Sequence, residues 1–178
     1  MNQKRNIVAF IAASLDGYIA TKNESLDWLF KVEGDGDNGF SDFYETVDTI
    51  LMGRRTYDWI MKQDLKGFPY KGKECYVFTR NSIEDTEDVK FVHGDDLTKL
   101  ITKLKGQHGK KIWMVGGGEL LHTFIQNKFM DEFIITIAPT ILGQGIPLFY
   151  EEDEELDLIL KGTNTFNQFV ELHYEVKK

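Results

Sequence analysis

Three consecutive glycines, Gly116, Gly117 and Gly118, stand between an apolar run at residues 111–115 and an amphipathic segment that starts at Glu119. This order predicts a strand, a tight turn and a helix. Because glycine has no Cβ, the backbone N–H groups of such a turn can crowd around an anion, and the following helix offers its positive end. The pattern predicts a phosphate-binding turn. The alternative is a glycine turn that only packs the helix closely on the strand.

Arginine is rare in this chain, and three of the four arginines follow apolar runs. Arg54 and Arg55 lie in the segment Gly53–Thr56, and Arg80 follows Thr79. The planar guanidinium group matches the oxygen atoms of a phosphate. These arginines are therefore candidate phosphate ligands, and ordinary surface arginines are the alternative.

Composition limits the partners and the compartment that we expect. At 178 residues and 42% hydrophobic, the chain suits a single domain over residues 1–178. A formal charge of -8 argues against non-specific electrostatic binding to nucleic acid. No apolar run approaches the roughly 20 residues that span a bilayer, and no secretion leader is recognisable. The single cysteine, Cys75, lies in an apolar run, which favours a buried thiol and a cytoplasmic protein.

Several common catalytic and binding signatures are missing from the sequence. There is no GxGxxG or GxxxxGK[ST] motif, so the standard Rossmann fingerprint and the P-loop are unsupported. The four histidines are scattered without an HExxH pattern or cysteine partners, and we expect no metal site. No G-x-S-x-G elbow supports nucleophilic catalysis.

Apolar runs of strand length alternate with helix-like segments along most of the chain. The strand candidates are residues 6–13, 49–52, 74–79, 89–92, 111–115 and 132–138, and the helix candidates are 41–47, 55–62 and 95–105. This alternation predicts a doubly wound α/β fold, with a mostly parallel mixed sheet and helices on both faces. Two further strands, at 156–162 and 166–176, predict a C-terminal antiparallel hairpin whose turn is Gly162–Thr165. The acidic run 151–155 is expected to be a solvated loop.

The candidate phosphate ligands all follow predicted strands. In an open α/β sheet, ligands bind beyond the carboxyl ends of the strands. The segments Gly53–Thr56, Thr79–Asn81 and Gly116–Gly118 are therefore expected on one rim of the sheet. Such a rim would suit a dinucleotide that carries a pyrophosphate and a further ribose phosphate.

Four segments of the chain resemble the dihydrofolate reductase-like superfamily, especially the branch similar to the C-terminal reductase domain of bacterial riboflavin biosynthesis proteins. They read SLDGYIA at 14–20, TILMGRRTY at 49–57, WMVGGGEL at 113–120 and PTILGQGIPLF at 139–149. The resemblance implies a dihydrofolate reductase-like fold, NADPH as cofactor, and hydride transfer to a small heteroaromatic, ribosyl-pyrimidine-like or pterin-like substrate.

The resemblance also assigns positions to the cofactor. Ala13 and Ile19 would flank the nicotinamide, and the segment Gly53, Arg54, Arg55 and Thr56 would hold the diphosphate and the 2′-phosphate region. Thr79, Arg80 and Asn81 would surround the adenosine ribose phosphate. The last wall of the site would consist of Val115, Gly116, Gly117, Gly118, Glu119 and Leu120.

The residues expected to bind the substrate match the family pattern less well than the residues expected to bind the cofactor. Dihydrofolate reductases hold the pterin with a carboxylate on the first helix, and the candidates here for a catalytic carboxylate are Asp42, Glu45 and Asp16. Asp16 has an alternative role, because Asp-Gly at the end of a strand is usually a turn device. Asp37 stands at the matching distance before Met52–Gly53. The substrate-binding candidates are Trp28, Asp37 and Phe43, with core packing as the alternative for Trp28.

We therefore expect an NADPH-dependent oxidoreductase whose partner is a small molecule. A non-enzymatic NADPH-binding sensor or regulatory module is the alternative, and a site for an unrelated phosphorylated metabolite is a third possibility. Relatives of the riboflavin branch often pair, so a homodimer is expected. The apolar stretch Ile146–Tyr150 could contribute to its interface or belong to the core.

Overall fold

A computed structural model describes residues 5–151 and 155–178. The strands are β1 (Ile7–Ser14), β2 (Tyr18–Ala20), β3 (Val47–Gly53), β4 (Glu74–Thr79), β5 (Lys90–His93), β6 (Lys111–Gly116), β7 (Glu132–Ala138), β8 (Ile146–Pro147), β9 (Leu158–Phe166) and β10 (Phe169–Val176). The α-helices are α1 (Asp27–Phe30), α2 (Phe40–Glu45), α3 (Arg54–Met61), α4 (Leu97–Gly106) and α5 (Gly118–Gln126), and a short 3-10 helix covers Gly94–Asp96.

The main sheet has the strand order β5-β4-β3-β6-β1-β7-β10-β9 in the described residues. All the pairs from β5 to β7 are parallel, whereas β10 is antiparallel to both β7 and β9. The prediction of a mostly parallel mixed sheet with a C-terminal antiparallel hairpin is confirmed. The short strands β2 and β8 pair with each other in a separate two-stranded sheet.

Helices cover both faces of the sheet. On one face, α4 and α5 bury Leu97, Ile101, Leu121 and Phe124 against the strands. On the other face, α2 and α3 contribute Phe43 and Ile60 to a second cluster that contains Trp113. Because helices cover both faces, side chains on both sides of the central strands are buried. Their sequences are therefore almost continuously apolar and do not alternate between apolar and polar residues.

The turn of the C-terminal hairpin differs from its prediction. Gly162–Thr165 lies within β9, and the chain reverses at Asn167 and Gln168 instead. Asn167 has a φ of 54°, a left-handed conformation that asparagine tolerates better than most residues. Gly162 lies where the register between β9 and β10 shifts, and an irregular pairing of this kind is a usual place for glycine in a strand.

The acidic run 151–155 was expected to be a solvated loop, and residues 152–154 of it lie outside the described residues. Among residues 5–151 and 155–178, no helix is long and apolar enough to cross a membrane.

Candidate functional site

Two strand-to-helix junctions face each other on the carboxyl-end rim of the sheet. β3 ends at Gly53 and runs directly into α3, and β6 ends at Gly116 just before α5. A Cβ on Gly53 would lie 3.7 Å from the Gly117 nitrogen, and a Cβ on Gly117 would lie 3.4 Å from Thr56 Oγ1. The Gly116–Gly117 peptide bond is cis. We call Gly53, Thr56, Gly116 and Gly117 the glycine cradle.

The third glycine of the triplet has a different environment. A Cβ on Gly118 would lie 2.7 Å from Cε2 of Tyr150 and 2.8 Å from the Pro147 carbonyl oxygen. Both atoms belong to a segment that packs on the start of α5, so a side chain at residue 118 would have to displace it. Gly118 is therefore required for packing, whereas the contacts that a Cβ would make at Gly117 are of ordinary length.

The three candidate arginines differ in the hydrogen bonds and ion pairs that their guanidinium groups make within the protein. Arg54 Nε donates to Asp58 Oδ1 at 2.7 Å, and its guanidinium carbon lies 5.9 Å from the centre of the Phe91 ring. Arg55 is exposed and pairs with Glu24 at 2.7 Å. Arg80 is exposed, and no hydrogen bond or ion pair engages its guanidinium in the described part of the chain. Of the three, Arg80 offers the least committed guanidinium group for a phosphate.

Thr79, Asn81, Glu119 and Leu120 lie on the same rim as the arginines. The Thr79 hydroxyl is buried and accepts a 3.1 Å hydrogen bond from the Asn81 amide, which shapes the turn before Arg80. Glu119 is exposed in the first turn of α5, with Oε1 4.0 Å from an Arg55 nitrogen. The Cβ of Leu120 would lie 3.9 Å from a Cβ on Gly53.

A cavity of about 350 Å³ opens between β1, β7 and the loop that precedes α2. We call it the β1–β7 cavity. Its walls are mostly apolar and aromatic, with one carboxylate. Neither lysine nor arginine lines it among the described residues. The lining residues are Phe10, Ala12, Leu29, Phe30, Val32, Gly34, Gly36, Asp37, Asn38, Thr136 and Phe169.

The sheet fixes one side of this cavity. Ala12 on β1 pairs in parallel register with Thr136 on β7, so the two side chains lie next to each other on the same face. Phe10 lies two residues before Ala12 on that face. Its ring stacks on Phe43 of α2, with centroids 4.1 Å apart and planes 10° apart. Phe43, a predicted substrate contact, is buried and supports the cavity wall from behind.

Asp37 is the one predicted carboxylate that lines the β1–β7 cavity. Its oxygens accept hydrogen bonds from the backbone amides of Gly39 at 3.1 Å and Ser41 at 2.8 Å, where α2 begins. Hydrogen bonds from the Ser41 side chain and amide hold the pKa of Asp37 below its usual range. Asp37 is therefore ionised at neutral pH. Asp42 and Glu45 are exposed on α2 and do not line this cavity.

Asp16 joins two loops near the end of β1. It accepts hydrogen bonds from the Ser14 hydroxyl at 2.6 Å and from the amides of Leu142 and Gly143 at 3.0 and 2.7 Å. The Ser14 hydrogen bond has the largest effect on this carboxyl group and, together with the two amides, lowers its pKa. Asp16 thus fixes the loop at 140–145 to the β1–β2 turn, whether or not it also takes part in chemistry.

Trp28 lies beside the cavity in a small cluster with Ala138 and Phe169. It is buried, and its indole Nε1 has no hydrogen-bond partner among the described residues. A buried donor without an acceptor costs free energy, so the position suits a bound water or ligand that accepts this hydrogen bond.

The other predicted cofactor contacts are largely packed into the core. Ala13 is fully buried in the core cluster that also contains Leu121 and Phe124 of α5. Ile19 is partly buried and packs against this cluster. Val115 packs against the cluster on the opposite face of the sheet. Any contact of Ala13 with a cofactor would therefore use its backbone.

The glycine cradle and the β1–β7 cavity both border β1, on opposite faces of the sheet. A Cβ on Gly116 would lie 3.9 Å from Cδ1 of Ile11, whereas the next residue along β1, Ala12, lines the cavity, and consecutive side chains of a strand point to opposite faces. No cluster of three or more potential metal-ligating side chains occurs among the described residues.

Comparison with known proteins agrees with this architecture. Residues 5–172 match the family model of the RibD C-terminal domain. The chain belongs to this family. It is 49% identical to the Bacillus subtilis protein YwjB over 173 residues, which cover 96% of this chain and 98% of YwjB.

Solved structures extend the comparison of this RibD C-terminal domain. A Shewanella sp. PV-4 protein assigned to riboflavin biosynthesis has a TM-score of 0.87 at 32% identity, with 97% of this chain and 99% of that one covered. Dihydrofolate reductase from Enterococcus faecalis, in complex with NADP(H) and RAB-propyl, has a TM-score of 0.64 at 17% identity and covers 97% of both chains. The predicted dihydrofolate reductase-like fold is confirmed.

Most of the cavity walls of this RibD C-terminal domain have no signal in the sequence. Thr136 and Phe169 come from strands late in the chain, and Phe10 lies in the middle of β1. Each looks like an ordinary core residue in the sequence, and only the pairing of β1 with β7 brings Phe10 and Thr136 to one cavity. The Arg54–Asp58 pair did have a signal, because its spacing of four residues places both side chains on one helix face.

Proposed function

We propose that the protein is an NADPH-dependent reductase that transfers hydride to a planar heteroaromatic molecule in the β1–β7 cavity. The observation that carries this proposal is the glycine cradle, in which Gly53 and Gly117 at two strand-to-helix junctions approach each other on a rim of the sheet, in a chain that also holds an apolar, aromatic cavity along β1. Bound in the cradle, NADPH would supply the hydride, so that the protein needs no nucleophile of its own.

The residues of the cradle suit the phosphates of a dinucleotide. A side chain on Gly53 would occupy the space in front of the Gly117 nitrogen, so the glycine keeps that amide accessible. Thr56 adds a hydroxyl, and the N-terminal ends of α3 and α5 attract negative charge. Arg80 is available for a further phosphate, which favours NADPH over NADH.

The β1–β7 cavity suits a flat substrate that donates hydrogen bonds. Phe10, Phe30 and Phe169 offer aromatic surface to a planar ring. Asp37 is ionised and accepts hydrogen bonds, so it would attract amino or ring N–H groups. Since Asp37 stays ionised at neutral pH, it orients the substrate, and we assign proton delivery to water.

Charge argues against a phosphorylated substrate in this cavity. With an ionised Asp37 and no lysine or arginine among its described lining residues, the cavity would repel a phosphate group. We therefore favour an unphosphorylated amino-substituted pyrimidine or pteridine over a ribosyl-phosphate compound. Steady-state kinetics with matched pairs of heterocycles, with and without the ribosyl phosphate, should give the lower KM for the unphosphorylated member.

The first experiment is cofactor binding, followed by turnover. Calorimetric titration should show NADPH binding more tightly than NADH, and NADPH oxidation should then be measured against amino-substituted pyrimidines, pteridines and flavin precursors. Failure to bind NADPH at millimolar concentration would overturn the proposal. Tight binding without turnover of any substrate would favour the alternative of a non-enzymatic NADPH sensor.

A further inference from the structure

The hydrogen-bonded ladder between β1 and β6 stops before either strand ends. β1 pairs in parallel with β6 only over Ile7–Ala9, although β1 continues to Ser14 and β6 continues to Gly116. On its other side, β1 pairs with β7 as far as Ser14. The ladder is therefore interrupted between Phe10–Ala13 of β1 and Val115–Gly116 of β6, and we call this interruption the β1–β6 gap.

An irregularity in β6 accompanies the end of this ladder. Leu51 and Met52 are consecutive on β3, but their partners on β6 are Met114 and Gly116. Val115 is therefore an extra residue, and a bulge of this kind bends the strand that carries it. Gly116 lies in register with β3, whereas the end of β1 lies in register with β7. The bulge thus explains why β6 leaves β1 at this point.

The carbonyl group of Phe10 faces the β1–β6 gap. The Asn6 carbonyl accepts a 2.9 Å hydrogen bond from the Ile112 amide of β6, and the Ile7 carbonyl accepts one of 3.0 Å from the Asp131 amide, next to β7. Because peptide groups alternate in direction along a strand, the carbonyls of even-numbered residues in β1 point toward β6. Phe10 is the first such residue beyond the paired part of β1. Its carbonyl therefore needs a donor other than the β6 backbone.

Trp113 supplies this donor from its side chain. Its indole Nε1 donates to the Phe10 carbonyl oxygen at 3.2 Å. Trp113 is 5% exposed, and its ring makes edge contacts with five aromatic rings at centroid separations of 5.5 to 6.5 Å. The five rings are those of Phe10, Phe40, Phe43, Tyr44 and Tyr70. Such close packing leaves the indole little freedom, so its N–H group is held in place.

The β1–β6 gap matters because the two parts of the proposed site lie on opposite faces of the sheet at β1. Ile11 points toward Gly116 of the glycine cradle, whereas Phe10 and Ala12 line the β1–β7 cavity. A continuous ladder would keep ligands on the two faces apart, because a layer of paired backbone would lie between them. Where the ladder between β1 and β6 is interrupted, two ligands can approach each other.

We propose that Trp113 is a positioning residue of this site. Its indole N–H takes the place of a strand donor at the Phe10 carbonyl, so this carbonyl is satisfied while the β1–β6 gap stays open. The hydrogen bond and the ring contact also fix Phe10, which forms part of the cavity wall. The effect on hydride transfer rests on the proposed function, whereas the effect on β1 does not.

The hydrogen bond can be removed without changing the shape of the side chain. Replacement of Trp113 by 3-benzothienylalanine puts a sulfur atom in place of the N–H group and keeps the fused rings. In the ligand-free protein, the backbone amides of residues 10–13 should then exchange with D2O at least about tenfold faster, because the partly buried Phe10 carbonyl loses its donor and the end of β1 loosens. The amides of β4 are the internal reference and should exchange at an unchanged rate. Unchanged exchange over residues 10–13 would overturn the proposal.

Kinetics separates positioning from packing. The analogue should lower kcat/KM for the heteroaromatic substrate by about tenfold or more, because small displacements of reacting groups cost much rate, and should leave the Kd of NADPH within about twofold. Trp59→Phe is the matched control, since it removes another indole from the same hydrophobic cluster, and it should leave kcat/KM unchanged. A loss of stability with unchanged kcat/KM in the analogue would make Trp113 structural only and would overturn the proposal. If the unmodified protein oxidises NADPH with none of the heterocycles, the proposed function fails, and the exchange experiment still decides the role of Trp113.

Discussion

Arg54 donates a 2.7 Å hydrogen bond from Nε to Oδ1 of Asp58, one turn further along α3. This contact commits part of the Arg54 guanidinium to the protein and holds the group near the Phe91 ring. Arg80, on the neighbouring strand end, has no such partner among the described residues. From the sequence, Arg54 and Arg80 were equal candidates for a phosphate ligand. In the structure, Arg80 is the better candidate, because Arg54 already binds Asp58.

Replacement of Arg80 should therefore reduce selectivity between the two nicotinamide cofactors. We expect Arg80→Ala to weaken NADPH binding by about 1.5–3 kcal/mol, the contribution of a hydrogen bond to a charged group, and to leave NADH binding nearly unchanged. Arg54→Ala should have a smaller effect on the same ratio, because Asp58 competes for its guanidinium. Calorimetric titration of each variant with both cofactors measures the ratio. Equal losses for NADPH and NADH in Arg80→Ala would contradict the assignment.

The second and third glycines of the triplet should respond differently to substitution. Gly117→Val should abolish NADPH binding while the circular dichroism spectrum is retained, because the side chain would fill the space proposed for a phosphate. Gly118→Ala should destabilise the fold by about 1–3 kcal/mol, since its Cβ would overlap Tyr150 and the Pro147 carbonyl. Chemical denaturation separates the two outcomes. If Gly117→Val unfolded the protein, the glycine would be structural and its role in a cradle would be lost.

The comparison of sequence and structure shows which features are locally encoded. β4 and β7 have the bounds that their apolar runs predict, Glu74–Thr79 and Glu132–Ala138. The prediction of a hairpin turn at Gly162–Thr165 was wrong. The segment contains residues that favour turns, but its pairing with β10 keeps it in a strand. Local preference is weak where a partner strand decides the register. The walls of the β1–β7 cavity were not predictable for the same reason, since Thr136 meets Ala12 only through strand pairing.

The choice between carboxylates can be tested on Asp37 and Asp42. Asp37→Asn should raise the KM of an amino-substituted substrate by about tenfold or more, because a charged hydrogen bond to the substrate is lost. The amide can still accept hydrogen bonds from Gly39 and Ser41, so α2 should keep its start. Asp42→Asn is the matched control on the exposed face of the same helix and should leave KM unchanged. A loss of turnover in Asp42→Asn alone would instead assign the catalytic carboxylate to Asp42, one of the three candidates from the sequence.

The unpaired indole nitrogen of Trp28 gives a test of substrate or water binding next to the cavity. Trp28→Phe removes a buried donor that has no acceptor among the described residues, which offsets part of the lost packing. We expect the free energy of unfolding to change by less than about 1.5 kcal/mol. If the N–H group orients a bound molecule, KM should rise or kcat should fall in the same variant. Unchanged kinetics would leave Trp28 as a core residue only.

The buried carboxylate of Glu132 predicts how stability depends on pH. Burial raises its pKa, but hydrogen bonds from Lys111, Asn6 and His173, at 2.6 to 2.9 Å, outweigh this effect and leave the pKa below the ordinary 4.5. The ionised form is therefore favoured in the folded protein. Its stabilising contribution should be complete above about pH 4.5 and should disappear as the pH falls through the lowered folded-state pKa.

Glu132→Gln isolates this contribution from the other carboxylates. At neutral pH the variant should be less stable by about 1–3 kcal/mol, because the charged hydrogen bonds of Glu132 are weakened. The difference between the two proteins should shrink as the pH falls below about 4.5, where Glu132 of the unfolded chain binds a proton first, and should vanish below the lowered folded-state pKa. Denaturant unfolding across the acid range measures both effects. A difference that stayed constant down to the acid limit would mean that Glu132 stabilises the fold through packing rather than through its charge.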